Sequence, residues 1–166
     1  MLQENMVGII SDTHDNRHCI ARAVELFNSL GCALVVHAGD FVAPFTYEEF
    51  EKLEGKLIGV FGNNDGERAG LTEQFSKKGG IFPSPHEFTW RGKRFAVMHK
   101  PSRLSDYLGR EDMDVVIYGH LHKIDIRREK PLVVNPGECC AWITGRSTVA
   151  ALDLDTMQVE IFDLVQ

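Results

Sequence analysis

The chain has 166 residues, 43% of them hydrophobic and 25% charged, with a formal net charge of −6. That length suits one domain with its own core, spanning residues 1–166, and the composition lies far from disordered or fibrous extremes. The acidic balance works against a protein that grips long nucleic acid, because that grip rests on Lys and Arg neutralising phosphates. The longest apolar runs, such as Ala33 to Val36, fall far below the ~20 residues of a membrane span, and no basic stretch followed by an apolar one opens the chain. A cytoplasmic protein without membrane contact is expected. Cys19, Cys32, Cys139 and Cys140 form neither a zinc pattern nor spaced pairs, so reduced, buried thiols are expected.

In chain order, Val7 to Ile10 reads as a strand, and Ile20, Ala23, Val24, Phe27 and Leu30 stand at helical spacing before a stop at Gly31. Leu34 to His37 is a second strand, Phe45 to Leu53 a helix with Pro44 near its first turn, and Leu57 to Phe61 a third strand. A shorter helix around Leu71 to Lys77 is expected to end at Gly79-Gly80. His86 to Trp90 and Arg94 to Met98 flank Arg91-Gly92 as a hairpin. A short helix follows Pro101. Strands are then expected at Val115 to Tyr118, Ile124 to Arg128, Leu132 to Val134, Thr148 to Leu154 and Met157 to Phe162, with a turn over Asp153 to Thr156 between the last two. The alternation of strands with amphipathic stretches predicts an α/β domain with helices over mixed sheets.

Five strand ends carry residues able to bind metal: Asp12-x-His14, Asp40, Asn63, His99 and His120-x-His122. Any one alone is an ordinary turn residue or histidine; the coincidence of five is the signal. Residues two apart in extended chain point to one side, so Asp12 and His14 converge, while loop curvature lets His120 and His122 diverge to two ions. Mixed imidazole and carboxylate donors suit manganese, iron, nickel or zinc better than magnesium or calcium. Two cations a few ångströms apart need a shared anion, a role Asp40 can fill. Gly39, Gly62 and Gly119 each precede a candidate ligand, where the backbone must turn tightly.

These motifs, with Gly62-Asn63-Asn64-Asp65 and Gly119-His120-Leu121-His122, resemble the ordered motifs of the calcineurin-like metallophosphoesterases. Ser11-Asp12-Thr13-His14 and Asn135-Pro136-Gly137 further resemble their small YfcE-like phosphodiesterase branch. The resemblance implies a four-layer α/β/β/α sandwich of two mixed sheets with a binuclear centre at the sheet edges. It assigns Asp12, His14, Asp40 and His122 to one cation, and Asp40, Asn63, His99 and His120 to the other. Two divalent transition-metal ions are implied, manganese first, with nickel, iron or zinc as alternatives. The implied activity is phosphodiester hydrolysis of a small phosphate ester by a metal-bridging hydroxide attacking phosphorus in line. The alternatives are a non-catalytic scaffold of the same fold, or a phosphomonoesterase or nuclease of the superfamily. A homo-oligomer through an exposed edge strand is left open.

This chain departs from the wider family at three positions. Asn64 stands where many members carry a histidine able to protonate the leaving group, which an amide cannot do near neutral pH; it is read either as a phosphoryl-oxygen ligand or as a loop residue tolerant of unusual backbone angles. Lys100 replaces a common glycine after His99 and is read either as a reach towards substrate phosphate or as a solvated lysine at a strand end. Glu138 replaces a common serine and is expected to turn away from the centre. His37 is expected to be structural, Asp15 a loop cap, and Asp65 a support behind the ligands or a helix cap. Phe41, Phe45 and Tyr47 are candidates for a cleft wall or for the core.

Overall fold

Alternation along the first strand decides the architecture. Successive side chains of a strand point to opposite faces, and Val7 and Ile9 join one apolar cluster while Ile10 joins another. Both faces of that strand are therefore buried. The computed structural model describes residues 1–164.

The strands are β1 (Gln3–Ile10), β2 (Cys32–His37), β3 (Lys56–Val60), β4 (Gly79–Phe82), β5 (His86–Trp90), β6 (Lys93–Met98), β7 (Val115–Tyr118), β8 (Ile124–Arg127), β9 (Leu132–Pro136), β10 (Thr148–Asp153) and β11 (Gln158–Asp163). They form a six-stranded sheet in the order β11-β10-β1-β2-β3-β4 and a five-stranded sheet in the order β5-β6-β7-β9-β8. β1 to β4 run parallel, as do β6, β7 and β9, while β10, β11, β5 and β8 pair antiparallel. Parallel strands put their carboxyl ends at one edge, and loops and ligands gather there.

Between the sheets lie Val7, Ile9, Val36, Phe95, Val97, Ile117, Val134 and Leu152. The opposite face of the larger sheet packs against α1 (Arg17–Ser29), α2 (Tyr47–Phe50) and α3 (Arg68–Phe75) through Ile20, Val24, Phe27, Phe50, Leu71 and Phe75. Asn16 caps α1 by accepting from the Cys19 N–H, and Gly31 follows its last turn with φ +68°. The fourth layer is thin. A 3-10 turn at Pro101–Asp106 and the segment after it place Leu104, Tyr107 and Met113 on Ala96, Val116 and Val133.

Three sequence expectations need correction. Gly79-Gly80 does more than end a helix: it opens β4, and a Cβ at Gly79 would strike the Leu57 carbonyl, so only glycine lets this strand approach β3. The helix expected over Phe45 to Leu53 is a 3-10 turn, Pro44–Thr46, followed by the single turn of α2. α3 begins earlier than expected, at Arg68. Among the described residues no helix is long and apolar enough to cross a membrane.

Phe27 illustrates how tightly α1 sits on the sheet. A Cβ at Gly8 would lie 2.6 Å from its ring, so the ring occupies the space a strand side chain would take. Phe27→Ala should destabilise the protein by about 3–5 kcal/mol, measured by denaturant unfolding; a loss below about 1 kcal/mol would show that this contact is not part of the core.

Candidate metal centre

Each candidate donor sits just past the end of a strand. Asp12 and His14 follow β1, Asp40 follows β2, Asn63 follows β3, His99 follows β6, and His120 and His122 follow β7. Main-chain hydrogen bonds tie these loops together: Asp12 N–H to the Gly39 carbonyl (3.0 Å), His14 N–H to that of Asp40 (3.1 Å), Gly119 N–H to that of His99 (3.0 Å) and Cys140 N–H to that of Asp12 (3.1 Å). Asp12, His14, Asp40, His120 and His122 all adopt positive φ, between 38° and 66°. Left-handed backbone costs a non-glycine residue about 1–3 kcal/mol and gathers at functional sites.

The glycines before the donors answer to close approach. A Cβ at Gly62 would collide with Asp40 Oδ1, and one at Gly119 with Ser11 Oγ.

The structure brings all seven candidate residues together. Asp12 Oδ2 accepts from the Ser11 hydroxyl (2.6 Å) and from the His120 N–H (3.1 Å). Asp12 Oδ1 and His14 Nε2 are buried with no hydrogen-bond partner among the described residues. Asp12 Oδ1 lies 3.3 Å from His122 Nε2 and 3.7 Å from His14 Nε2. Asp40 Oδ2 lies 3.4 Å from His14 Nε2 on one side and 3.2 Å from His99 Nε2 on the other. Around His99 Nε2 stand Asn63 Oδ1 at 3.0 Å and His120 Nδ1 at 3.2 Å.

Two rings are fixed from behind. His99 Nδ1–H donates to the Ala38 carbonyl (2.8 Å), and His122 Nδ1–H donates to Glu138 Oε2 (2.5 Å). Both Nε2 lone pairs then face oxygen lone pairs, an arrangement that repels until a cation or proton enters. Such outward N–H partners orient the imidazoles of metal sites. Burial weighs most on Asp40 and would raise its pKa, but His99 and the Asn64 N–H groups hold it well below the carboxylate range. Burial likewise pulls His99 down, and the Asp40 carboxylate more than offsets it. His14 is raised, first by Asp12.

The two substrate-binding candidates are placed differently. Asn64 is exposed at the cavity, and its main-chain and side-chain N–H groups donate to Asp40 Oδ1 (2.9 Å) and Oδ2 (2.8 Å), so its amide positions Asp40 from the cavity wall. Lys100, extended ahead of Pro101, lines a neighbouring cavity beside His99.

The supporting residues were only partly legible. Glu138 is turned away from the opening as expected, yet it is buried directly behind His122. Its carboxylate also accepts from the Thr144 hydroxyl (2.6 Å) and the Ile143 N–H (3.2 Å), and these contacts hold it down to about 2 against the effect of burial. Asp65 is not the cap of α3, whose N-cap residue is Glu67; its carboxylate accepts from the N–H groups of Asp40 (3.1 Å), Val42 (2.7 Å) and Gly62 (2.6 Å), clamping two ligand loops. Asp15 caps its loop through the Ala43 N–H (2.9 Å), and His37 is buried against Phe41, its ring joined to the Thr13 hydroxyl. Cys140 brings its sulfur near His14 and His122, and burial pushes its thiol up to about 12. All four cysteines are free and buried.

Sequence reasoning missed the apolar wall. Trp142 and Ile143, both exposed, line a cavity of about 320 Å³ with His14, Asp40, Asn63, Asn64, His120 and His122, and the Trp142 indole N–H donates to the His14 carbonyl (3.1 Å). Their only signal was a large apolar pair in a polar segment. Phe41 and Tyr47 belong to the core instead, and Phe45 lies on a different surface hollow.

Two carboxylates, an amide and four imidazoles at one sheet edge, with converging lone pairs left unsatisfied, fit a divalent cation of borderline softness and define a metal-binding hydrolytic fold. The chain belongs to the calcineurin-like phosphoesterase superfamily, whose domain model matches residues 6–157, and is a metal-dependent hydrolase of that family. It is 38% identical over 154 residues to a phosphodiesterase of Methanocaldococcus jannaschii, covering 90% of this chain and 93% of that protein. The solved structure of an archaeal phosphodiesterase superposes with a TM-score of 0.89 at 36% identity, over 95% of this chain and 99% of the other. The phosphoesterase YfcE of E. coli shares the fold at a TM-score of 0.65 and 19% identity, over 96% and 100% of the two chains.

Asp65→Ala should leave three main-chain N–H groups without their acceptor. We expect metal affinity to fall about 10–100-fold with stability lower by about 1–3 kcal/mol, read by metal titration and denaturant unfolding. Unchanged affinity would remove Asp65 from the support of the centre.

Proposed function

We propose that the chain is a binuclear metal-dependent phosphodiesterase. Asp12, His14, Asp40 and His122 hold one divalent cation, and Asp40, Asn63, His99 and His120 hold the other. The carrying observation is Asp40 Oδ2, a single oxygen within 3.4 Å of a ring nitrogen in each group. Mixed nitrogen and oxygen donors suit manganese, iron, nickel or zinc, and manganese is taken first on the family resemblance. When bound, the pair supplies Lewis acidity toward the phosphoryl oxygens and acidifies a water for in-line attack on phosphorus.

The chain's own residues do the rest. Ala38 and Glu138 take up the Nδ1–H groups of His99 and His122, which orients their Nε2 atoms inward. Asn64 holds the bridging carboxylate in place. Trp142 and Ile143 shield one side of the cavity from water and offer an apolar face to a substrate arm. Asn64 stands where a histidine would protonate the leaving oxygen, and its amide has no proton to give at neutral pH. The leaving group must then depart as an anion, which favours diesters of acidic alcohols. The phosphodiesterase of Methanocaldococcus jannaschii, alike over nine-tenths of this chain, supports the diester reading.

The test is a panel of aryl diesters, alkyl diesters and monoesters, assayed after removal of metal and reloading with manganese. We expect aryl diesters to be cleaved at least about 100-fold faster than alkyl monoesters, because the Asn64 amide cannot protonate a poor leaving group. Asp40→Ala should lower turnover by about 100-fold or more and bind less than the full metal complement. Metal binding without turnover of any ester would contradict the reading; equal rates on aryl and alkyl esters would show that another group donates the proton.

A further inference from the structure

A second cavity, of about 260 Å³, adjoins the metal centre and shares Asn63 and His99 with it. Its remaining polar walls are Arg68, Lys100, Arg103, Ser84 and Ser102, and no acidic residue lines it. In a chain with 24 acidic residues against 18 basic ones, three cations around one hollow beside a phosphoesterase centre form a local reversal of charge.

The cations are held without being fully neutralised. Arg68 Nε–H donates to the uncharged main-chain carbonyl of Asp65 (3.2 Å), and its guanidinium lies 5.0 Å over the Phe61 ring. Those two contacts stiffen the side chain and leave its terminal N–H groups for a ligand, in the planar fork that matches phosphate oxygens. Lys100 has no ion-pair partner among the described residues and projects from extended backbone ahead of Pro101. Arg103 is committed through Nε–H to Asp106 (2.8 Å) and contributes less. Ser84 Oγ accepts from the His99 N–H (3.0 Å), so its own proton remains free to donate.

We propose that this cavity is a subsite for a second phosphate of the substrate, carried on the arm of the diester that lies over Arg68 and Lys100. The substrate class is then a small diester with a further phosphate on one arm and, on the other, a group that faces the Trp142 wall. This rests on the phosphodiesterase reading above.

The test uses two esters with one leaving group: thymidine 5′-(p-nitrophenyl phosphate) with and without a 3′-phosphate. We expect kcat/KM to favour the 3′-phosphorylated ester by about tenfold, mainly through KM, and Arg68→Gln and Lys100→Met each to cut that preference about fivefold, as charge-assisted contacts at a half-open site should. Metal content of the variants is measured alongside. Binding of thymidine 3′,5′-bisphosphate and of thymidine 5′-monophosphate by calorimetry judges the subsite without turnover. Cleavage of neither ester would sink the phosphodiesterase reading alone, provided the bisphosphate still binds more tightly and Arg68→Gln removes the difference. Equal affinities for the two nucleotides, or a preference that survives both substitutions, would overturn the subsite.

Discussion

Two carboxylates out of water, each with an oxygen set against imidazole nitrogens, set the condition that the rest of this structure must meet. Burying a carboxylate costs several kcal/mol unless it is paired. Ser11, the His120 N–H and Asn64 satisfy the supported oxygens of Asp12 and Asp40, while Asp12 Oδ1 keeps a lone pair with nothing to receive it. A proton on one ring would settle one such contact. Cations settle all of them together, and that is why Ala38 and Glu138 take up the outward N–H groups of His99 and His122.

The fold serves this condition through its edge. Parallel strands in both sheets deliver their ends to one rim, and interlocked main-chain hydrogen bonds hold five donor residues in left-handed conformations that the loops alone would not choose. That strain is sustained by two cores, one between the sheets and one under the helices. The centre has an unlike flank on each side: an apolar wall at Trp142 and Ile143, and a basic hollow at Arg68 and Lys100.

Much of this was legible because metal chemistry restricts residue type so sharply. Asp12, His14, Asp40, Asn63, His99, His120 and His122, which the structure gathers at one sheet edge, could be picked out from one line of sequence, since each is of a type able to bind metal and stands just past an apolar run. Most strands were legible by the same runs. β4 was not, because two glycines carry no hydrophobic signal and their reason lies in the closeness of the β3 backbone. Asp65 was legible as a support or a cap but not which, and Glu138 was harder still: a carboxylate that binds main-chain N–H groups or the back of an imidazole reads in sequence like any acidic turn residue. Trp142 works through exposure, which local pattern does not encode.

The claim on which the account stands is that seven side chains enclose two cations sharing Asp40. Crystals grown with manganese and measured at its absorption edge test it directly. The account predicts two anomalous peaks about 3.5–4 Å apart, with the Asp40 carboxylate between them, His14 and His122 on one and His99 and His120 on the other. A single peak, or two peaks not bridged by Asp40, would contradict it.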